Sequence, residues 1–298
     1  MTLLIIGANG FIGSASLRYF SEFYEVYGCD ISANSSLPAH RFQQIDPLSP
    51  DFETVFRKHP FDLCLNASGS ASVGFSFNDP LTDYRLNVLN VAVVLDAIRK
   101  YNPACRYINI SSAAVYGNPS YLPIDEPHPI APLSPYGWHK YQSELLCREY
   151  ADFHGLATCS IRIFSAFGPG LRKQLFWDMH QKIKSGGSIY LYGTGKESRD
   201  FIYITDLLQA INLIFTSASF GGGVVNIANG EEITIRRAAE TFYQLYNNQS
   251  FSFSGQERTG DPINWRAEVT LLKSFGYKPR YLFEQGVEEY VKWLKEIK

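Results

Sequence analysis

Five short runs of nearly uninterrupted apolar residues divide the first half of the chain, at residues 3–6, 25–29, 63–66, 107–110 and 158–163, with amphipathic stretches between them. Strands that are apolar on both faces need helices on both faces. Right-handed crossovers between parallel strands then leave few arrangements besides a doubly wound α/β sheet. The texture changes after Phe167, where Gly168-Pro169-Gly170, Gly186-Gly187 and Gly193-Thr194-Gly195 break the chain into loops around short elements. The spacing predicts helices over residues 173–184, from about Ile204 with Thr205 as its cap, and over 283–298. The expected organisation is a main domain of residues 1–167 plus about 199–230. A smaller C-terminal α/β lobe would take about 168–198 and 231–298.

Charge narrows the partners: 27 basic residues stand against 29 acidic ones among 298, a balance that points to neither nucleic acid nor an anionic membrane. No apolar run approaches the roughly 20 residues of a membrane span, so the chain reads as soluble and cytoplasmic, without a leader. Five cysteines are scattered without a C-x-x-C pair and six histidines show no ligand spacing. Reduced, buried thiols and no metal are expected. His139 reads as a helix-surface residue and is assigned no role.

Directly after the first strand comes Gly7-Ala8-Asn9-Gly10-Phe11-Ile12-Gly13, then an amphipathic helix. A helix N-terminus facing a loop of little side-chain bulk offers free N–H groups to a pyrophosphate. A β-carbon at these glycines would block the tight turn or the close approach. Asp30 ends the second strand about 20 residues on, where a carboxylate accepts both hydroxyls of an adenosine ribose. That carboxylate would repel a 2′-phosphate, and residues 31–35 contain no arginine to offset it, so the reading is NAD rather than NADP.

Tyr136 and Lys140 stand four apart in a predicted helix, on one face and about 6 Å from each other. A phenol titrates near 10, so it takes a proton near neutrality only beside cations, and Lys140 is one. Tyr192 and Lys196 repeat the spacing, but Gly193 and Gly195 between them argue for a turn. Upstream, Ser111 and Ser112 follow the strand at 107–110, which places their hydroxyls at the carboxyl edge of the sheet, where ligands bind in such folds.

The glycine triplet, Ser111-Ser112-Ala113-Ala114-Val115-Tyr116-Gly117 and Tyr136-Gly137-Trp138-His139-Lys140, in this order, resemble the extended short-chain dehydrogenase/reductases of the NAD-dependent epimerase/dehydratase type, which modify nucleotide sugars. The resemblance covers nearly the whole chain and implies a Rossmann-type fold. It implies Ser112 as the catalytic hydroxyl, Tyr136 as the proton-transferring residue and Lys140 as its partner. For the cofactor it implies Gly7, Asn9, Gly10, Phe11, Ile12, Gly13 and Asp30, with Asp46 at the adenine and Asn87 nearby, besides Tyr136 and Lys140.

Further segments bear on the substrate. Residues 162–169 resemble the family's R-x-x-N-x-Y-G-P, with Ser165 in place of the asparagine, and 193–201 resemble G-x-G-x-x-x-R-D-F. With Arg258-Thr259-Gly260-Asp261 matching R-x-G-D, the resemblance implies that Arg199 and Arg258 grip a nucleotide diphosphate, a geometry guanidinium suits. Ala113-Ala114 cannot transfer protons where the family's 4,6-dehydratases carry Asp-Glu. The resemblance to UDP-hexose 4-epimerases further implies that Trp265, four residues after that motif's aspartate, limits space at sugar C2 and disfavours an N-acetyl group. The leading expectation is a nucleotide-sugar 4-epimerase of the UDP-hexose type, working as a homodimer. Two alternatives stay open: an NAD(P)H-dependent nucleotide-4-keto-6-deoxyhexose reductase, which residues 71–80 favour, and a non-catalytic NAD-sensing protein.

Overall fold

The computed structural model describes residues 1–33, 36–256, 260 and 262–297. In the amino-terminal half, strands β1 (Thr2–Ile6), β2 (Glu25–Asp30), β3 (Phe42–Gln44), β4 (Leu63–Asn66), β5 (Arg106–Ser112) and β6 (Thr158–Ile163) alternate with helices α1 (Phe11–Phe20), α2 (Phe52–Lys58), α3 (Val73–Asn78), α4 (Pro80–Tyr84), α5 (Asn90–Tyr101) and α6 (Pro135–His154). The later half holds short strands β7 (Ser165–Phe167), β8 (Ile189–Leu191), β9 (Ser198–Arg199) and β10 (Phe201–Tyr203), then β11 (Gly221–Ile227), β12 (Ile233–Thr234) and β13 (Phe251–Phe253). Its helices are α7 (Gln174–Ser185), α8 (Ile204–Ser217), α9 (Ile235–Tyr246), α10 (Thr270–Ser274) and α11 (Phe283–Glu296).

Seven strands form one sheet in the order β11-β6-β5-β4-β1-β2-β3, and every pairing in it is parallel. The order reverses between β1 and β4, so their carboxyl ends open the crevice where ligands of doubly wound sheets bind. Side chains alternate as the pleat demands: Leu3 and Ile5 enter one apolar cluster, Leu4 and Ile6 the other. The first cluster runs unbroken from β1 to Leu294 of α11, so the late elements share the core of the sheet. Each such fully buried Leu or Ile contributes about 1.5–3 kcal/mol. All five cysteines are buried and free. Among the described residues no helix is long and apolar enough to cross a membrane.

Three details differ from expectation. β5 continues through Ser111 and Ser112, paired with Arg162 and Ile163 of β6, because its neighbour stays extended that far. Those serines therefore belong to the strand instead of following it. Strand β11 went unread because it opens on Gly221-Gly222-Gly223; Gly222 has φ 76°, and a β-carbon there would lie 2.8 Å from Cδ of Arg148 on α6. Finally, Thr205 is not the cap of α8. The chain enters that helix straight from β10 with Tyr203 at the cap position, and Thr205 is already inside the first turn.

Helix α6 ends where local chemistry dictates. Ser134 accepts from the amide of Gly137 at 3.2 Å, Pro135 occupies the first turn, and Gly155 closes the helix at φ 67°. These signals hold Tyr136 and Lys140 on the first two turns, against β5.

Candidate active site

Gly7 turns the chain at φ 80°, and a β-carbon on it would sit 2.7 Å from the amide nitrogen of Ser68. One on Gly13 would drive into the carbonyl oxygen of Gly7. Both positions thus exclude any side chain. Gly10 caps α1 with no side-chain bond to its amides, which leaves the first-turn N–H groups facing the loop. Phe11 and Ile12, half-buried, anchor that turn in the core.

Asp30 stands at the end of β2, and its two oxygens accept from the amides of Asn9 at 2.9 Å and Ser32 at 3.0 Å. The Asn9 side chain donates in turn to the carbonyl of Ser32 at 3.1 Å. A carboxylate has about four acceptor sites, so Asp30 ties the loop to the strand and keeps lone pairs for a further donor. Asp46 lies just past β3, exposed, with Oδ1 accepting from the Leu48 amide at 2.8 Å.

Asn87 sits in a π-helical turn, Arg85–Leu89, between α4 and α5, and only 1 % of it is exposed. Neither its Oδ1 nor its Nδ2 has a partner among the described residues. An unsatisfied buried amide costs about 1–3 kcal/mol, and native chains tolerate it where a ligand completes the bonds. Gly69, at φ 104°, leaves the space in front of Oδ1 that a β-carbon would fill.

Ser112, Tyr136 and Lys140 are brought together at the carboxyl edge of the sheet. The Lys140 ammonium donates to the carbonyl of Ile110 at 2.9 Å and lies 5.9 Å from the centre of the Tyr136 ring. Burial pushes the Tyr136 phenol up to about 12, with a hydrogen bond from Ser112 pulling it back and the charge of Asp83 adding to the rise. Burial also brings Lys140 down to about 8. An added positive charge at this place would lower the phenol toward a working range. Tyr192 and Lys196, by contrast, lie in a non-helical turn whose Gly193 and Gly195 both have φ 81°.

Of the residues expected at the substrate, Arg199 and Trp265 meet: the guanidinium stands 5.4 Å from the indole ring. Trp265 is buried, packs edge-on against Phe164 at 5.8 Å and donates from Nε1 to the carbonyl of Gly117 at 3.0 Å. It is thereby fixed to the segment that follows Ser112. Ser165 joins β10 through its amide, which donates to the carbonyl of Asp200 at 2.9 Å. Arg258 and Asp261 lie outside the described residues. Gly260 between them is placed against Val73 and Phe77 of α3.

Two features escaped the sequence reading. Glu144 and Arg162 form a buried bidentate pair, 2.7 and 3.0 Å, and Glu144 also accepts from Ser111. Glu144 stands four residues beyond Lys140 on the same helix face, a spacing that could have revealed it. His139 is not on the surface: it is buried, and its Nδ1 lies 2.6 Å from Oδ2 of Asp83, which has no exposed area. Its partner Asp83 and the Tyr84 ring that meets it edge-on both come from α4, far back along the chain, so nothing local reports the burial.

With this geometry in view, the NAD dependent epimerase/dehydratase family model matches residues 3–228. The chain belongs to that family. A Methanocaldococcus jannaschii protein provisionally named a UDP-glucose 4-epimerase is 27 % identical, the match covering 98 % of both chains. The solved UDP-N-acetylglucosamine 4-epimerase of Methanobrevibacter ruminantium, in complex with UDP-N-acetylmuramic acid, is 27 % identical with a TM-score of 0.89, over 99 % of this chain and 98 % of its own. The Thermus thermophilus UDP-glucose 4-epimerase in complex with NAD shares the fold at 24 % identity, with a TM-score of 0.88 over 99 % of each chain.

Proposed function

We propose that this chain is a nucleotide-sugar 4-epimerase of the UDP-hexose type that uses NAD. The observation that carries the reading is the cluster of Ser112 with the buried Tyr136 and Lys140 at the carboxyl edge of the sheet, in a chain similar over its full length to 4-epimerases. NAD fits the residues present: the open amides at the start of α1, the glycines that exclude side chains, the Asp30 carboxylate and the unpartnered Asn87 amide would hold it, with Asp46 at the adenine. When bound, NAD supplies a reversible hydride acceptor and donor for sugar C4.

The chain's own groups handle the proton. Ser112 holds the C4 oxygen beside Tyr136; Tyr136 takes the hydroxyl proton as C4 is oxidised and returns it on reduction. Lys140 stabilises the phenolate between these events. Arg199 and Arg258 bind the diphosphate, Ser165 contacts the sugar, and Trp265 restricts the space at C2 against an N-acetyl group. Ala113 and Ala114 offer no acid or base for eliminating water. Leu81, Tyr84, Leu89, Trp138 and Leu145 expose a cluster of large apolar side chains on the adjacent α4, π-helical turn and α6, which supports a homodimer through this face. Buried reduced thiols support a cytoplasmic setting.

The test supplies UDP-glucose, UDP-galactose and UDP-glucuronate with substoichiometric NAD and follows both the C4 epimer and absorbance at 340 nm. An epimer formed without net change in NADH is expected. One-for-one loss of NADH or NADPH with a 4-keto sugar would replace the proposal with a ketoreductase.

A further inference from the structure

The Asp83–His139 pair has no part in the chemistry described so far, yet its place is unusual. Asp83 is wholly buried on α4; Oδ2 lies 2.6 Å from His139 Nδ1, and Oδ1 is buried with no hydrogen-bond partner among the described residues. The Tyr84 ring meets the imidazole edge-on at 5.5 Å and closes the pair off. A buried carboxylate with one hydrogen bond is expensive to maintain, and for holding α4 against α6 alone an apolar contact of the same size would serve as well or better. His139 immediately precedes Lys140 on α6, three residues after Tyr136.

We infer that the Asp83–His139 pair is a positioning device for the proton-transfer residues, in which the Asp83 carboxylate holds the charge of Lys140 and His139 anchors that carboxylate under the helix. This inference rests on the proton-transfer reading of Tyr136 and Lys140. Four charged or titratable groups lie within electrostatic reach of the Lys140 ammonium: Tyr136 and Glu144 from α6, Asp83 from α4 and Lys173 from the start of α7. Glu144 is already engaged by Arg162 from β6, and Lys173 opposes the ammonium. Against the desolvation that brings Lys140 down to about 8, Asp83 is the leading opposing influence. The same carboxylate also raises Tyr136, so it discourages the phenolate until a cation enters the site.

NMR of the folded protein with isotopically labelled lysine across pH, read at the Lys140 Cε resonance, measures this buried lysine's own titration without any substrate. In Asp83→Asn the midpoint is expected to fall by ~0.5–1 pH unit, as for loss of a nearby opposite charge. Asp83→Ser, which keeps an acceptor for His139 but no charge, gives the same shift should the amide fail to fold. His139→Gln keeps the carboxylate and a donor beside it, and does not lower the midpoint. In turnover the basic limb of the kcat profile follows the Lys140 midpoint in each variant, with KM little changed. An unmoved midpoint in the Asp83 variants, or an equal fall in His139→Gln, overturns the inference and leaves a structural contact. Absence of epimerase turnover in the unmodified protein would instead reject the functional reading, while the titration still decides the role of Asp83.

Discussion

Lys140 donates to the carbonyl oxygen of Ile110 at 2.9 Å, so the ammonium that faces Tyr136 is tethered to the strand that carries Ser112. Burial holds this ammonium down to about 8, well below its unfolded value. A depressed lysine binds fewer protons folded than unfolded, so the stability it leaves intact above its unfolded value is lost as the pH falls toward 8. At neutral pH the buried charge is therefore a net burden on the fold. Lys140→Met should raise stability at pH 7 by about 1–2 kcal/mol, after the lost bond to Ile110 is counted, while reducing epimerisation at least 100-fold. Urea denaturation and an epimer assay check the two halves. A variant both less stable and still active would contradict the assignment.

Asn87 allows a similar separation of binding from folding. Its amide is buried without partners. Asn87→Leu removes that penalty while keeping the branch at the γ-carbon, so the cofactor-free protein should unfold at a higher temperature. NAD affinity should fall about tenfold, the worth of one good hydrogen bond. Thermal melts with and without NAD give both numbers; an unchanged affinity would remove Asn87 from the cofactor site.

How much of this was legible in the chain depends on whether the cause is local. The glycine loop could be read because Gly13 is required by the Gly7 carbonyl six residues back and Gly7 by its own turn at φ 80°, although the backbone that also crowds Gly7 belongs to Ala67 and Ser68, just past β4. Tyr136 and Lys140 could be paired because one helix spaces them, and Ser134, Pro135 and Gly155 mark that helix in the sequence. Strand β11 could not, since its three glycines carry no strand pattern and its pairing with β6 is set by the rest of the sheet. The cap of α8 was misplaced because a short pairing of β10 with β7, invisible locally, brings the chain into the helix two residues early. Asp83 meets His139 only through the packing of α4 on α6, and a lone histidine beside the lysine gave no hint of that.

Glu144 and Arg162 make a buried pair whose further bonds reach Ser111, Tyr116 and the carbonyl of Glu126. Removing one member leaves the other charge without compensation, which costs about 3–5 kcal/mol. Arg162→Met is expected to lower stability by that amount, and Glu144→Gln by somewhat less because the amide still accepts one bond. The double variant Glu144→Leu, Arg162→Met should recover part of the loss, since an apolar pair needs no compensation. Chemical denaturation of the three proteins provides the cycle; strict additivity would mean that the pair acts only through separate contacts.

Trp265 offers the sharpest test of substrate choice. Its indole is held between Phe164, the Gly117 carbonyl and the Arg199 guanidinium, so it cannot swing aside to admit a larger substituent. If it sets the space at sugar C2, Trp265→Ser should raise kcat/KM for UDP-N-acetylglucosamine relative to UDP-glucose by at least tenfold, equivalent to about 1.4 kcal/mol of relieved crowding. Total activity will fall somewhat, because the bond to Gly117 and the stacking of Arg199 go with the ring. The ratio of the two substrates is the informative quantity, since a general loosening of the site lowers both together. Equal use of the two sugars by the unmodified protein would show that the indole packs this wall without selecting the substrate.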